Sequence, residues 1–439
     1  MKLRTVITLS LILFLNSCSS AKQISGYWTG TMEVNGNIVD LSLDLNDSTI
    51  SSNDLMFHQC QIQNLSFKNN TLKFSYITSE VNFSFEGILD NNNIKGKLII
   101  QEIPPEIKFS FNLSKQSEAS PSKNYSIEKL IIESKGANLS AEIYKPKTKS
   151  LHPALVLLPG SYRNYPKSGL AFDADFFVKL GFEVLIFDKR GSGESTGNSI
   201  TATYDNLAED AVACLEILNK RETINKSKIG LWGFSQGAML LPFVASKTDI
   251  PSFLIAISPE IHGAYEAAAF SDSLRVVNSG NSSEEGHIAA ESHRKVAEMI
   301  RNGSDYKEVL SFINSNAQKY SFMNQTGLYD RVVIDKENFE GFYWSGRKYN
   351  FYNYWKNLDI KTLCVFGEDD SYVDAIRNVK TLKSFNNTKI ETKLFSGASH
   401  PLRKTVNIRN YSDFDFPRVK DGYLEFVKQW IDNEINNEH

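Results

Sequence analysis

The pentapeptide Gly233-Phe234-Ser235-Gln236-Gly237 sets one hydroxyl between two glycines at even spacing. That G-x-S-x-G pattern suits a serine nucleophile on a sharp turn, because glycine tolerates a cramped backbone and the turn lifts Oγ clear of its surroundings. A short motif is only as good as its context. Here the apolar stretch Lys228–Trp232 precedes it and a helical pattern opens at Gln236. The spacing therefore predicts strand, turn and helix, with the helix amides aimed at charge developing near Ser235. An idle serine on a tight turn is the plain alternative.

A serine hydroxyl needs a base, and the chain offers seven histidines. His58 falls in the N-terminal region, His439 is the last residue, and His152 leads into a strand from the wrong edge. His262, His287 and His293 fall in a long insertion and read as solvated helical faces. His400 ends Ser396-Gly397-Ala398-Ser399-His400, just past the run Glu391–Phe395, where a loop meets the carboxyl ends of parallel strands. The histidine in turn needs a carboxylate to fix its tautomer. Glu368, Asp369 and Asp370 all follow the strand ending at Phe366, and chemistry alone leaves the three equal. An oxyanion pocket needs two amide donors: Gln236 beside the nucleophile, and Ser161 in the turn Pro159-Gly160-Ser161-Tyr162. No metal-ligand spacing is visible, and the chemistry requires no cofactor.

These residues need a frame. From about Gly26 to Lys115 the chain alternates apolar and polar residues, as in Val39–Leu45, Leu72–Tyr76, Val81–Phe85 and Ile107–Phe111, with Asn-rich turns between. Period-two patterning predicts a small antiparallel barrel or sandwich over residues 18–115. Residues 116–125 are polar and read as a linker. From 126 to 439 apolar runs alternate with longer helical patterns, which predicts an α/β unit with a parallel sheet. Its expected strands are Ile127–Ser134, Leu139–Pro146, Ala154–Leu158, Val184–Phe187, Lys228–Trp232, Phe253–Ile257, Thr362–Phe366 and Glu391–Phe395. A helix is expected over Thr203–Asn219 and an amphipathic one from about Arg418. Residues 260–358 are too many for a plain loop and read as a helical cap. Phe342, Tyr343 and Trp344 are expected to pack that cap, the alternative being that they line its pocket.

Together these stations resemble the α/β-hydrolase superfamily from about Ile127 onward. The stretch Asp188-Lys189-Arg190-Gly191-Ser192-Gly193-Glu194-Ser195 is similar to the D-x-R-G-x-G-x-S turn of many members. Its charged residues are expected to form structural pairs. The layout is similar to bacterial two-domain serine esterases, with a small β domain before the hydrolase domain. The resemblance implies an acid three residues after the strand-ending glycine, hence Asp370 with Asp369 behind it. It also implies a cap after the sixth strand. Pro159-Gly160 stands where the family usually has His-Gly, a change that keeps the backbone donor.

The first residues carry a different signal. Lys2 and Arg4 precede an apolar run, and the region 1–17 reads as an export signal. Leu15-Asn16-Ser17-Cys18 is similar to the lipobox of bacterial lipoproteins, with Asn16 where a small apolar residue is usual. That resemblance implies lipidation of Cys18 and anchoring at the periplasmic side of the outer membrane, the alternative being a soluble periplasmic or secreted protein. After Cys18 three cysteines remain, and Cys214 and Cys364 fall on core segments, so buried thiols are expected. A net charge of −3 shows no basic excess for nucleic acid, and no protein partner is implied. The expected activity is hydrolysis of a small-molecule carboxylic ester through an acyl-enzyme. Peptidase and acyl thioesterase activities are the alternatives, the latter disfavoured because coenzyme A is cytosolic. A binding protein with a relic site stands against all three.

Overall fold

The period-two runs near the N-terminus pair into one antiparallel sheet. The computed structural model describes residues 24–77, 82–101, 103–104, 106–118, 124–162, 166–330, 349–405 and 415–436. The export segment, Cys18 and the aromatics at 342–344 lie outside these residues. Among the described residues the first sheet has nine strands. In spatial order they are Phe57–Gln61, Thr49–Ser52, Asn37–Asp44, Tyr27–Val34, Phe109–Lys115, Asn93–Ile100, Asn82–Asp90, Thr71–Ile77 and Gln63–Lys68. The two edge strands are separated in the chain by Ile62 alone. A sheet whose first and last strands are joined by one residue must curl until those ends meet, so it is nearly a closed barrel. Alternate residues fill its interior, among them Trp28, Met32, Leu41, Leu43, Leu72, Phe74 and Phe111.

The second sheet has eight strands among the described residues, in the order Tyr125–Ser134, Ala137–Pro146, Glu183–Phe187, His152–Leu158, Ile224–Phe234, Phe253–Ile257, Lys361–Gly367 and Ile390–Phe395. The opening hairpin is antiparallel, its second strand also runs antiparallel to Glu183–Phe187, and every later pairing is parallel. This is the α/β-hydrolase fold. Strands Glu183–Phe187 and Phe253–Ile257 are buried at every residue, so Phe253–Ile257 reads as a continuous apolar run and Val184–Phe187 as another, with the buried Glu183 paired to Arg221 before it. Alternate side chains feed two cores. Val156 and Leu158 join the helices Tyr204–Asn219 and Gln236–Ala245 on one face. Leu155 and Leu157 join Ala171–Lys179 and Tyr423–Ile431 on the other. Thr203 caps the first of these helices through a reciprocal box with Asn206. No helix among the described residues is long and apolar enough to cross a membrane.

Between Phe253–Ile257 and Lys361–Gly367 the chain builds the cap, with helices Ala264–Asn278, Ser283–Arg301 and Tyr306–Lys319. Ser282 and Asp305 start the last two with capping boxes. The cap has its own core of Val276, Val296, Ile300, Val309, Ile313 and Met323. Glu266 ties it to the body, taking Arg294 at 2.9 Å and Arg377 at 2.6 Å. His293 corrects the expectation of a solvated face: it is buried, with Nε2 2.6 Å from Asp272 Oδ2. A helical pattern shows which face is apolar but not which polar residue a third helix will cover.

The two sheets are joined by side chains as well as sequence. Phe416, which follows the second sheet in the chain, lies 2 % exposed in the core of the first, its ring 5.8 Å from Phe109. The Val419 amide donates to the Asp54 carbonyl at 2.7 Å. Tyr125 hydroxyl bridges His58 Nε2 and Asp175 Oδ1, each at 3.0 Å. Truncating a buried phenylalanine typically costs about 3–5 kcal/mol. Phe416→Ala is therefore expected to lower the urea midpoint of the N-terminal β unit markedly. An unchanged unfolding curve would show that the ring does not hold the two parts together.

Candidate active site

The strand Ile224–Phe234 runs straight into the helix Gln236–Ala245 with Ser235 as the only hinge. Ser235 sits at φ 52°, ψ −114°, a region that non-glycine residues seldom adopt. The neighbouring glycines explain how the turn fits. A Cβ at Gly233 would lie 2.5 Å from the Gly237 carbonyl carbon, and one at Gly237 would lie 2.2 Å from the Leu158 oxygen. Both positions exclude a side chain. The Ser235 amide donates to the Ile257 carbonyl at 2.9 Å, which holds the elbow to the next strand.

His400 arrives from the loop after Ile390–Phe395, with Nε2 2.8 Å from Ser235 Oγ. Its Nδ1 lies 2.6 Å from Asp370 Oδ2. With Nδ1 donating to the carboxylate, Nε2 is left to accept the serine proton. The three acids of 368–370, equal on paper, separate by burial: Glu368 and Asp369 are exposed, and Asp370 is 5 % exposed. The other oxygen of Asp370 accepts the amides of Tyr372 at 2.7 Å and Val373 at 2.9 Å. Asp370 is thus anchored on one side and presented to the imidazole on the other.

Backbone contacts fix the two loops to each other. Glu368 amide donates to the Phe395 carbonyl and Asp369 amide to that of Ala398, both at 2.9 Å. Ser258 Oγ donates to the His400 carbonyl at 2.7 Å. Phe234 and Tyr372 flank the imidazole, with ring centroids 5.0 and 5.1 Å away. The arrangement can pass a proton from hydroxyl to imidazole while a carboxylate stabilises the resulting cation.

The turn expected to supply the oxyanion pocket also lies here. A Cβ added at Gly160 would stand 3.8 Å from Ser235 Cβ, and Ser161 follows it exposed. Gln236 is buried at the helix start. In the 188–197 turn, Lys167 pairs with Asp188 at 3.0 Å and Arg190 with Asp210 at 2.6 Å, both structural. Lys189 differs. Its buried Nζ donates to the Gly160 carbonyl at 3.1 Å and to Gln236 Oε1 at 2.6 Å. Its sequence position carries no signal that separates it from Asp188 and Arg190, which make structural pairs.

The remaining candidates fall elsewhere. His152 binds the Gly181 carbonyl, and His262 pairs with Glu260 at 3.2 Å. Cys60, Cys214 and Cys364 are buried free thiols, and burial pushes the Cys364 thiol up. Among the described residues no three His, Cys, Asp or Glu side chains converge as a metal site.

Residues 135–400 match the family model described as X-Pro dipeptidyl-peptidase (S15 family). A curated Escherichia coli protein, an uncharacterized 31.7 kDa protein in the traX-finO intergenic region, is 34 % identical over 94 residues, covering 21 % of this chain. The chain spans about a third (32 %) of the length of that relative. Among solved structures, the Pyrococcus furiosus esterase Pf2001 is 18 % identical with a TM-score of 0.43, covering 72 % of this chain and 92 % of its own. Est1E from Butyrivibrio proteoclasticus is 18 % identical with a TM-score of 0.41, covering 69 % of this chain and 96 % of its own.

The two neighbouring acids give a sharp test of the geometry. Replacing the buried orienting aspartate of such a set by asparagine costs on the order of 10⁴ in rate. Asp370→Asn is expected to slow acylation of Ser235 by a fluorophosphonate reagent by that order, while Asp369→Asn stays within about twofold, as expected for an exposed site. Equal losses in both variants would reject Asp370 as the partner of His400.

Proposed function

The chain belongs to the X-Pro dipeptidyl-peptidase (S15) family, and from that premise we propose that it cleaves peptide bonds through an acyl-enzyme on Ser235. It is a serine-hydrolase-type enzyme with a triad-like Ser235, His400 and Asp370 set. The observation that carries the mechanism is the unbroken bond chain from Asp370 Oδ2 through the imidazole to Ser235 Oγ. As Oγ attacks the substrate carbonyl, its proton passes to His400 Nε2, and Asp370 stabilises the imidazolium. The carbonyl oxygen becomes an oxyanion facing the amides of Ser161 and Gln236, beside the start of the Gln236–Ala245 helix. Collapse expels the amine, which takes the proton from Nε2. Water then repeats the sequence and frees the acid. The substrate class in the family's description, peptides from which an X-Pro dipeptide is released, is the first to try here.

Ester hydrolysis is the second reading. It is supported by the small curled β unit ahead of the hydrolase sheet, an arrangement similar to bacterial two-domain esterases, and the same steps serve an ester. For location we propose export, with a lipidated Cys18 holding the enzyme to the periplasmic side of the outer membrane.

A substrate panel separates the readings. Dipeptidyl p-nitroanilides with proline in second position should release nitroaniline, and Ser235→Ala should abolish that release. Turnover of p-nitrophenyl esters with no turnover of any anilide would reject the peptidase reading in favour of the esterase. Mass spectrometry of the mature N-terminus is expected to find diacylated Cys18, and an unmodified terminus at another residue would exclude anchoring.

A further inference from the structure

Three neighbouring strands bring three residues to one height on the sheet's carboxyl edge. Leu158 pairs with Gly233, and counting forward along that register sets Gly160 level with Ser235. Val156 pairs with Leu185, and the same count sets Gly160 level with Lys189. The side-chain bonds agree with the count. Lys189 Nζ reaches the Gly160 carbonyl at 3.1 Å and Gln236 Oε1 at 2.6 Å. One ammonium therefore touches the turn on one side of the nucleophile and the residue that follows the nucleophile on the other. Both are the stretches whose amides face the oxyanion in the mechanism above, and the inference rests on that reading.

We propose that Lys189 is a positioning residue of the oxyanion pocket, its Nζ clamping the Gly160 turn to Gln236 so that the Ser161 and Gln236 amides keep the spacing a tetrahedral oxyanion requires. Two oxygen acceptors need two N–H groups, and lysine has them whether protonated or neutral. This matters because burial pushes the Lys189 ammonium down to about 7, with Asp210 opposing. When charged, the group also adds positive potential in a water-poor site, where it favours the oxyanion over the neutral carbonyl. A clamp of this kind acts on the transition state far more than on substrate binding. No bond to the substrate is implied.

The test uses the whole enzyme, with p-nitrophenyl acetate as substrate and phenylboronic acid as the tetrahedral mimic. Losing one direct oxyanion donor costs about 10²–10³ in kcat, and an indirect clamp should cost less, about 10–100-fold, in Lys189→Met. KM should stay within about threefold, and the boronate inhibition constant should rise in step with the fall in kcat/KM. Gln236→Leu, which keeps the backbone amide and removes the acceptor, should reproduce part of the loss, and the double variant should be no worse than Lys189→Met alone. A lysine of purely structural use would lower the melting temperature and leave the kcat-to-KM split and the boronate constant unchanged. Wild-type kcat in Lys189→Met, with Ser235→Ala inactive, would overturn the clamp and spare the triad. Activity retained in Ser235→Ala would overturn the triad reading itself. Should Lys189→Met fail to fold, Gln236→Leu decides alone, and wild-type kcat and boronate binding there would overturn the proposal.

Discussion

The backbone turn at Ser235 is the constraint on which the rest of the site depends. A serine at φ 52°, ψ −114° sits outside the favoured regions, and such residues cost on the order of 1–3 kcal/mol that surrounding structure must supply. The supply is visible. Gly237 packs so closely on the Leu158 carbonyl that a methyl group would collide at 2.2 Å. The Ser235 amide binds Ile257, and its carbonyl takes the Met239 amide to start the helix. Neighbouring strands on both sides thus hold the elbow, which explains why it interrupts the most completely buried part of the sheet. A looser sheet would let the turn relax and swing the hydroxyl away from His400.

The same sheet serves as a ruler for the other groups. Parallel register puts the ends of neighbouring strands at one level, so short loops suffice to bring acid, base and nucleophile together from positions 135 and 165 residues apart. The loop after His400 has a further support. Arg403 bridges to Val419, Lys404 amide donates to the Arg418 carbonyl, and two residues before Arg418 the chain plants Phe416 in the N-terminal β core. The small β unit therefore grips the segment that carries the base. Its contribution among the described residues is packing around Phe416.

How much of this was legible in the sequence varied with the kind of physics involved. The fully buried strand Phe253–Ile257 is legible to the residue, because burial on both faces leaves a continuous apolar run, whereas Glu183–Phe187 is legible only from Val184 because its first residue is a buried, paired charge. Ile224–Phe234 was read four residues short at its start, where Asn225, Lys226 and Ser227 are polar and the register to His152 shifts. In the β unit, Thr49–Ser52 and Phe57–Gln61 show too little alternation to stand out, and their pairing partners decide them. Asp370 could be separated from Asp369 only by resemblance, since the amides of Tyr372 and Val373 that select it are a three-dimensional fact. Lys189 was hidden for a similar reason. Its neighbours Asp188 and Arg190 do make structural pairs, and only the register across three strands shows that the residue between them points elsewhere.

Amide and ester substrates make different demands on this frame. An alcohol leaves readily, whereas an amine leaves only if a proton reaches its nitrogen as the tetrahedral intermediate collapses. An imidazole that can wander loses that race to the reverse reaction. Here the imidazole has little freedom: its Nδ1 is fixed on a buried carboxylate, its carbonyl is held by Ser258, and two aromatic rings flank it. The base is thus held by its carboxylate, its backbone and its ring neighbours, with Nε2 toward the serine. The same held imidazole can take the serine proton and return it to an alcohol or an amine. The contacts that hold the base and those that hold the elbow thus meet at one edge of the sheet.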